Sequence, residues 1–185
     1  MVHLDGMRVA ILATDGFEES ELVEPLNALK DFGAQVDVIS THSNTVQGFR
    51  HFEKASAVKV DRTLHDAHPG DYDALVLPGG TNNADALRTE PLVKDFIRAF
   101  ELAGKPMAVI CHAPWLLVSA NLVRGRTLTS YHTIQDDIRN AGGNWEDRAV
   151  VEDRNWVTSR QPKDLPSFIA AMARLFAKSR QLAHH

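Results

Sequence analysis

The sequence predicts an α/β fold built on a mostly parallel sheet, and three observations predict it. Short apolar runs recur along the chain, most of them closed by a turn rich in Gly or Pro. Segments with helical spacing stand between those runs, giving the order strand, helix, strand. The connections are too long for hairpins and suit right-handed crossovers between parallel strands. A chain of 185 residues is long enough to bury a sizeable core and is expected to form one domain over 1–185.

Arg8 to Thr14 is the first buried strand, bounded by Asp15-Gly16. A helix follows with Leu22, Leu26, Leu29 and Phe32 on one face, and Gly33 ends it. Pro25 lies inside it and has no N–H for the carbonyl of Glu21, so irregular backbone is expected around Glu21. Gln35 to Ser40 is the second strand, and the mixed polar stretch 42–62 reads as a small hairpin. Asp73 to Leu77 is the third core strand, stopped by Pro78-Gly79-Gly80. Pro91 opens a helix with Leu92, Phe96, Ala99 and Ala103 on one face, and Gly104 closes it. Met107 to Ile110 is a fourth buried strand. Beyond it lie Thr127 to Thr129, a short helix over 134–140, two short strands near 149–151 and 156–158, and a last helix from Pro166. Residues 183–185, with the His184-His185 pair, are expected to be a disordered tail.

The net charge of -4 implies no basic surface for nucleic acid or an anionic membrane. The single Cys rules out an internal disulfide and a cysteine-pair zinc site. The N-terminus has no basic region followed by an apolar stretch, and no run of about 18 apolar residues occurs. The expectation is a cytoplasmic protein without membrane or nucleic-acid partners. His65 and His68 have a spacing that two metal ligands could use, but nothing else in the sequence converges on them, and a solvated loop is the expectation.

Cys111 is where the strands and turns point. It ends an apolar strand, and Pro114 opens the next helix, so His112 and Ala113 form a sharp strand-to-helix turn. Such a turn holds a sulfur at the carboxyl edge of the sheet, where N–H groups favour thiolate over thiol. Two other features fall at that edge: the acidic stretch Asp15 to Glu21 and the Gly79-Gly80 turn. A nucleophile, an acid or base and an oxyanion site can share one cleft there.

The blocks Gly16 to Leu22, Leu77 to Gly80, Ala108 to Trp115, Thr129 to Tyr131 and Thr158 to Arg160 resemble the signature blocks of the ThiJ/PfpI superfamily, in its PfpI-like branch. The resemblance spans nearly the whole chain. It implies a flavodoxin-like three-layer sandwich with a cysteine nucleophile elbow, a homodimer that can assemble further, and no cofactor or metal. Carried over by residue, Cys111 is the nucleophile and Glu21 the carboxyl at its sulfur, with Glu18 a further site position. Gly79 and Gly80 form the glycine turn, and Gly80 and His112 supply oxyanion N–H groups. Tyr131 takes a pocket position where other branches have His. In some members the equivalent of His112 is a triad base oriented by a neighbouring subunit's acid from the loop after the glycines. Asp85 is the one candidate for that acid here, and it is one carbon shorter than the Glu of the protease-like members.

The function implied is a stress-response, cysteine-dependent hydrolase or lyase acting on reactive carbonyls or their protein adducts, of glyoxalase or deglycase type. Two alternatives stay open: an intracellular cysteine peptidase, and an oxidative-stress sensor or chaperone-like protein that uses oxidation of Cys111. Glutamine amidotransferase chemistry is argued against, because Val109-Ile-Cys-His-Ala113 is not the Gly-x-Cys-x-Gly elbow and no His-x-Glu follows it. Dinucleotide and phosphate loops are absent as well.

Overall fold

The computed structural model describes residues 2–183. Strand β1 (Arg8–Leu12) leads through β2 (Phe17–Glu18) into helix α1 (Glu19–Asp31), then β3 (Gln35–Ser40), β4 (Thr45–Arg50), β5 (Glu53–Lys59) and β6 (Arg62–Thr63). β7 (Ala74–Leu77), α2 (Thr81–Thr89), α3 (Pro91–Leu102), β8 (Met107–Ile110) and α4 (Pro114–Ser119) follow. The chain closes with β9 (Thr127–Leu128), α5 (Gln135–Asn140), β10 (Asn144–Trp145), β11 (Val150–Asp153), β12 (Trp156–Ser159) and α6 (Leu165–Ala183).

Seven strands make the main sheet in the order β11-β12-β8-β7-β1-β3-β6. All its pairs are parallel except β11 with β12. Alternate residues of β1 feed two cores: Ala10 and Leu12 pack with Phe96, Phe100 and Leu117, whereas Val9 and Ile11 pack with Leu22, Phe168 and Met172. Because both faces of each central strand are covered, these strands read as continuous apolar runs. Helices α1 and α6 cover one face and α2 to α5 the other, which is the expected three-layer sandwich. Among the described residues, no helix is long and apolar enough to cross a membrane.

The chain runs from β1 to β3 on one side and later to β7 on the other. That change of direction opens a crevice beyond the strand carboxyl ends. The 42–62 stretch is a hairpin of β4 and β5, joined to β2 as a small sheet over this crevice. Glu19 fastens it there, accepting from the N–H and hydroxyl of Ser56 at 2.7 Å each and pairing with Arg50 at 2.9 Å.

Three expectations are corrected. α1 runs unbroken past Pro25, because the helix tolerates the loss of one N–H where tertiary packing holds the flanking turns. The segment after the glycine pair is helix α2 and not a loop. Ala183 belongs to α6, while residues 184–185 lie outside the described residues.

Candidate active site

β1, β7 and β8 are parallel neighbours, so their ends bring Gly16, the glycine turn and Cys111 together. Cys111 takes φ 65°, a left-handed conformation rare for a residue with a side chain. Holding it there costs roughly 1–3 kcal/mol, which the surrounding bonds must offset. Its N–H donates to the carbonyl of Ser159 at 3.0 Å, and its carbonyl accepts from the N–H of Tyr131 at 2.7 Å. Two neighbouring segments thus fix the turn, and the sulfur faces the crevice at 6% exposure.

The glycine turn fits this arrangement closely. A side chain at Gly79 would collide with the carboxyl of Glu21 and the Cβ of Cys111. Gly80 has φ 97° and lies against the backbone of Gly16 to Glu18, leaving a Cβ no room. Asn83, fully buried, ties the turn to β1. Its side-chain oxygen accepts from the N–H of Thr14 at 2.8 Å, and its amide donates to the carbonyls of Pro78 and Gly79 at 3.1 and 3.2 Å.

Glu21 sits in the first turn of α1 at 0% exposure. Neither of its carboxyl oxygens completes a hydrogen bond with a described group; the Cys111 thiol and the Gly79 N–H are the polar groups turned toward it. Burial first, and then the charge of Glu18, push this carboxyl up from 4.5 to about 8. Burial likewise pushes the Cys111 thiol up, and an ionised Glu21 pushes it further, while the N–H groups of Gly80 and His112 act in the opposite direction. Both shifts favour the protonated forms and two negative charges are too costly in so dry a place, so the pair keeps at least one proton through neutral pH. Donor placement decides where that proton sits. The sulfur faces two backbone N–H groups and the carboxyl has no completed bond, so charge is better held on sulfur and the proton on Glu21. The helix dipole is a minor source here, because α4 has only 6 residues.

His112 is 8% exposed and points its Nδ1 at the sulfur, 3.3 Å away. Its Nε2 lies 3.4 Å from the Thr81 hydroxyl and 3.3 Å from that of Thr133. Tyr131 stacks on the ring with centroids 4.7 Å apart. Burial, and then the charge of His132, push the imidazole down to about 4, so it is neutral at pH 7. A neutral ring cannot make the imidazolium–thiolate pair of a papain-like site. Asp85 is exposed on α2 and does not line the cleft, so within one chain the carboxylate position of a triad is taken by two hydroxyls.

The cleft itself has a volume of about 470 Å³. Glu18 lines it, its carboxylate accepting from the N–H of His51 at 3.0 Å, and Phe52 stands at the rim of the hairpin, 98% exposed. The structure therefore gathers Cys111, Glu21, Glu18, Gly79, Gly80, His112 and Tyr131, and leaves Asp85 outside. Sequence reasoning missed Asn83, Thr81, Thr133 and the hairpin rim. Only Asn83 left a trace, as an amide one short turn after a glycine pair. His65 and His68 are exposed in a turn, and among the described residues no group of three or more ligand-type side chains could hold a metal ion.

The profile of the DJ-1/PfpI family matches residues 7–175. Deglycase TK1284 of Thermococcus kodakarensis is 41% identical over 169 residues, covering 91% of this chain and 99% of that protein. The putative cysteine protease YraA of Bacillus subtilis is 38% identical over 161 residues, covering 87% of this chain and 93% of that protein. The crystal structure of Drosophila melanogaster DJ-1beta superposes with a TM-score of 0.84 at 28% identity, covering 96% of each chain.

Proposed function

The chain belongs to the DJ-1/PfpI family, and from that premise we propose that it is a cysteine-dependent enzyme that converts reactive carbonyl compounds or their adducts. The observation that carries this reading is the buried Cys111–Glu21 pair in one cleft, a sulfur nucleophile facing a carboxyl that burial keeps protonated. The relative named a deglycase supports it.

With methylglyoxal the pair would act in sequence. The Cys111 thiolate adds to the aldehyde carbon, the oxygen takes up negative charge beside the Gly80 and His112 N–H groups, and Glu21 gives it a proton. The carboxylate so formed removes the hydrogen from that carbon and returns it to the neighbouring carbon through an enediol, leaving a lactoyl thioester on the sulfur. Water cleaves the thioester to lactate and restores the thiol–carboxylate pair with one proton. The sum is methylglyoxal plus water to lactate and a proton, with no net oxidation.

The test is lactate formation from methylglyoxal by reduced protein, without glutathione and in amine-free buffer, beside Cys111→Ser. Lactate from the wild type and none above background from the variant is the expected result. Aldehyde loss without lactate, or equal lactate from both, overturns it.

Peptidase action is the second reading, supported by the name of the Bacillus relative. It requires an acid at His112, and Asp85 could supply it only from another copy of the chain. We propose a homodimer, with Asp85 outside the chemistry. Asp85→Asn is expected to leave lactate formation within about twofold of wild type, because an exposed carboxylate remote from the cleft adds little. A loss of tenfold or more would put Asp85 of a second copy in the site.

A further inference from the structure

The charges around the cleft are one-sided. Among the described residues, its lining includes the Glu18 carboxylate and no lysine or arginine, while Glu21 keeps its proton. Nearby guanidinium groups are committed elsewhere: Arg50 pairs with Glu19, Arg160 with Asp147 and Asp164, and Arg88 lies over Trp115 and bonds to Ser119. His112 adds no positive charge at neutral pH. Glu18 cannot swing aside freely, since the N–H of His51 holds one of its oxygens.

We propose that this cleft selects by charge, admitting uncharged or cationic carbonyl compounds and excluding those that bear a carboxylate or phosphate beside the reacting carbon, with Glu18 as the discriminating residue. The negative charge of Glu18 lines the same cleft as the sulfur, where an anionic substrate gains no partner and meets a like charge. At the separations possible inside such a cleft, one like-charge pair lowers the encounter or affinity by about tenfold at intermediate dielectric. The inference deepens the carbonyl-converting reading and rests on it for the identity of the substrate, yet the selectivity is a property of the cleft alone.

The experiment therefore begins with a pair of probes that needs no turnover. Iodoacetamide and iodoacetate alkylate the same sulfur and differ mainly in charge. Their rate ratio at Cys111, divided by the same ratio for free glutathione, cancels the thiolate fraction and the intrinsic reactivity. We expect this quotient to exceed about 10 at low salt. It should fall at least threefold in Glu18→Gln, fall again in Asn82→Lys, which adds a cation to the rim, and shrink between about 20 mM and about 500 mM ionic strength. A quotient near 1, or one that neither substitution nor salt alters, overturns the proposal. In parallel, 4-carbamoylphenylglyoxal and 4-carboxyphenylglyoxal, which match in size, are compared as substrates. Turnover of both at equal rates overturns charge selection alone; turnover of neither, with the alkylation quotient high, overturns the carbonyl-converting reading and leaves charge selection standing.

Discussion

Glu21→Gln is expected to lower kcat/KM for lactate formation by about 10²- to 10⁴-fold, the usual range for a lost general acid–base, and at the same time to make the protein harder to unfold at alkaline pH. The two effects have one cause. The Glu21 carboxyl is buried and its pKa stands at about 8 in the folded protein against an ordinary value of 4.5. Between those values the Glu21 carboxyl has released its proton in the unfolded chain and retains it in the folded one, so this group by itself makes stability fall as pH rises. The loss begins near pH 4.5, proceeds by up to about 1.4 kcal/mol per pH unit, and levels off above about pH 8. Gln has the same shape and no titration, so it removes this dependence. Melting curves of the two proteins should nearly coincide at pH 4 and separate progressively toward pH 8, with the variant the more stable. Parallel curves at all pH values would mean that the Glu21 carboxyl titrates alike in the folded and unfolded chain, and the proton-carrying role would fall with it.

The second large effect is expected at Asn83, a residue that touches no substrate in the proposed reaction. Its side chain makes three hydrogen bonds in a fully buried position. Asn83→Leu leaves the Thr14 N–H and the carbonyls of Pro78 and Gly79 without these partners, at a cost of about 2–5 kcal/mol. Because those carbonyls belong to the turn that places the Gly80 N–H, kcat should fall by tenfold or more even in protein that remains folded. Denaturation midpoints measure the first effect. A pH–rate profile separates the second, because a positioning residue should lower the whole curve without moving its limbs. A variant with wild-type midpoint and wild-type kcat would show that the glycine turn is held by other contacts.

Asn83 also marks where the sequence stops being legible. β1, β7 and β8 are visible in advance because each is an apolar run with both faces buried, closed by Gly or Pro, and β3 because Val36, Val38 and Ile39 follow the turn at Gly33. The inward face of α3 differs from the expected one, since Val93, Phe96, Ile97 and Phe100 are buried whereas Leu92 and Ala103 are exposed, but as a helix between Pro91 and Gly104 it is visible. α2 is not: Thr81-Asn-Asn-Ala-Asp-Ala-Leu-Arg-Thr89 is polar, rich in weak helix formers, and buries only Asn83, Ala84 and Leu87. Without that helix, Asp85 reads as a loop acid free to reach a histidine. With it, the register that turns 83, 84 and 87 inward turns 85 outward. The pairing of Cys111 with Glu21 follows from motif resemblance, but the fate of the shared proton depends on burial and donor placement, which no spacing of residues encodes. The same holds for His112, whose ring is inward and neutral because Tyr131, Thr81 and Thr133 close around it.

The claim on which the rest depends is that Cys111 and Glu21 act as one ionising unit with the charge on sulfur and the proton on the carboxyl. The most direct measurement is the pH dependence of Cys111 alkylation by iodoacetamide in the wild type and in Glu21→Gln. A carboxyl O–H is a stronger donor to the thiolate than an amide N–H. The alkylation midpoint of the variant should therefore lie above that of the wild type by about one pH unit. Coincident midpoints would contradict the account, because the carboxyl would then have no part in the chemistry of the sulfur.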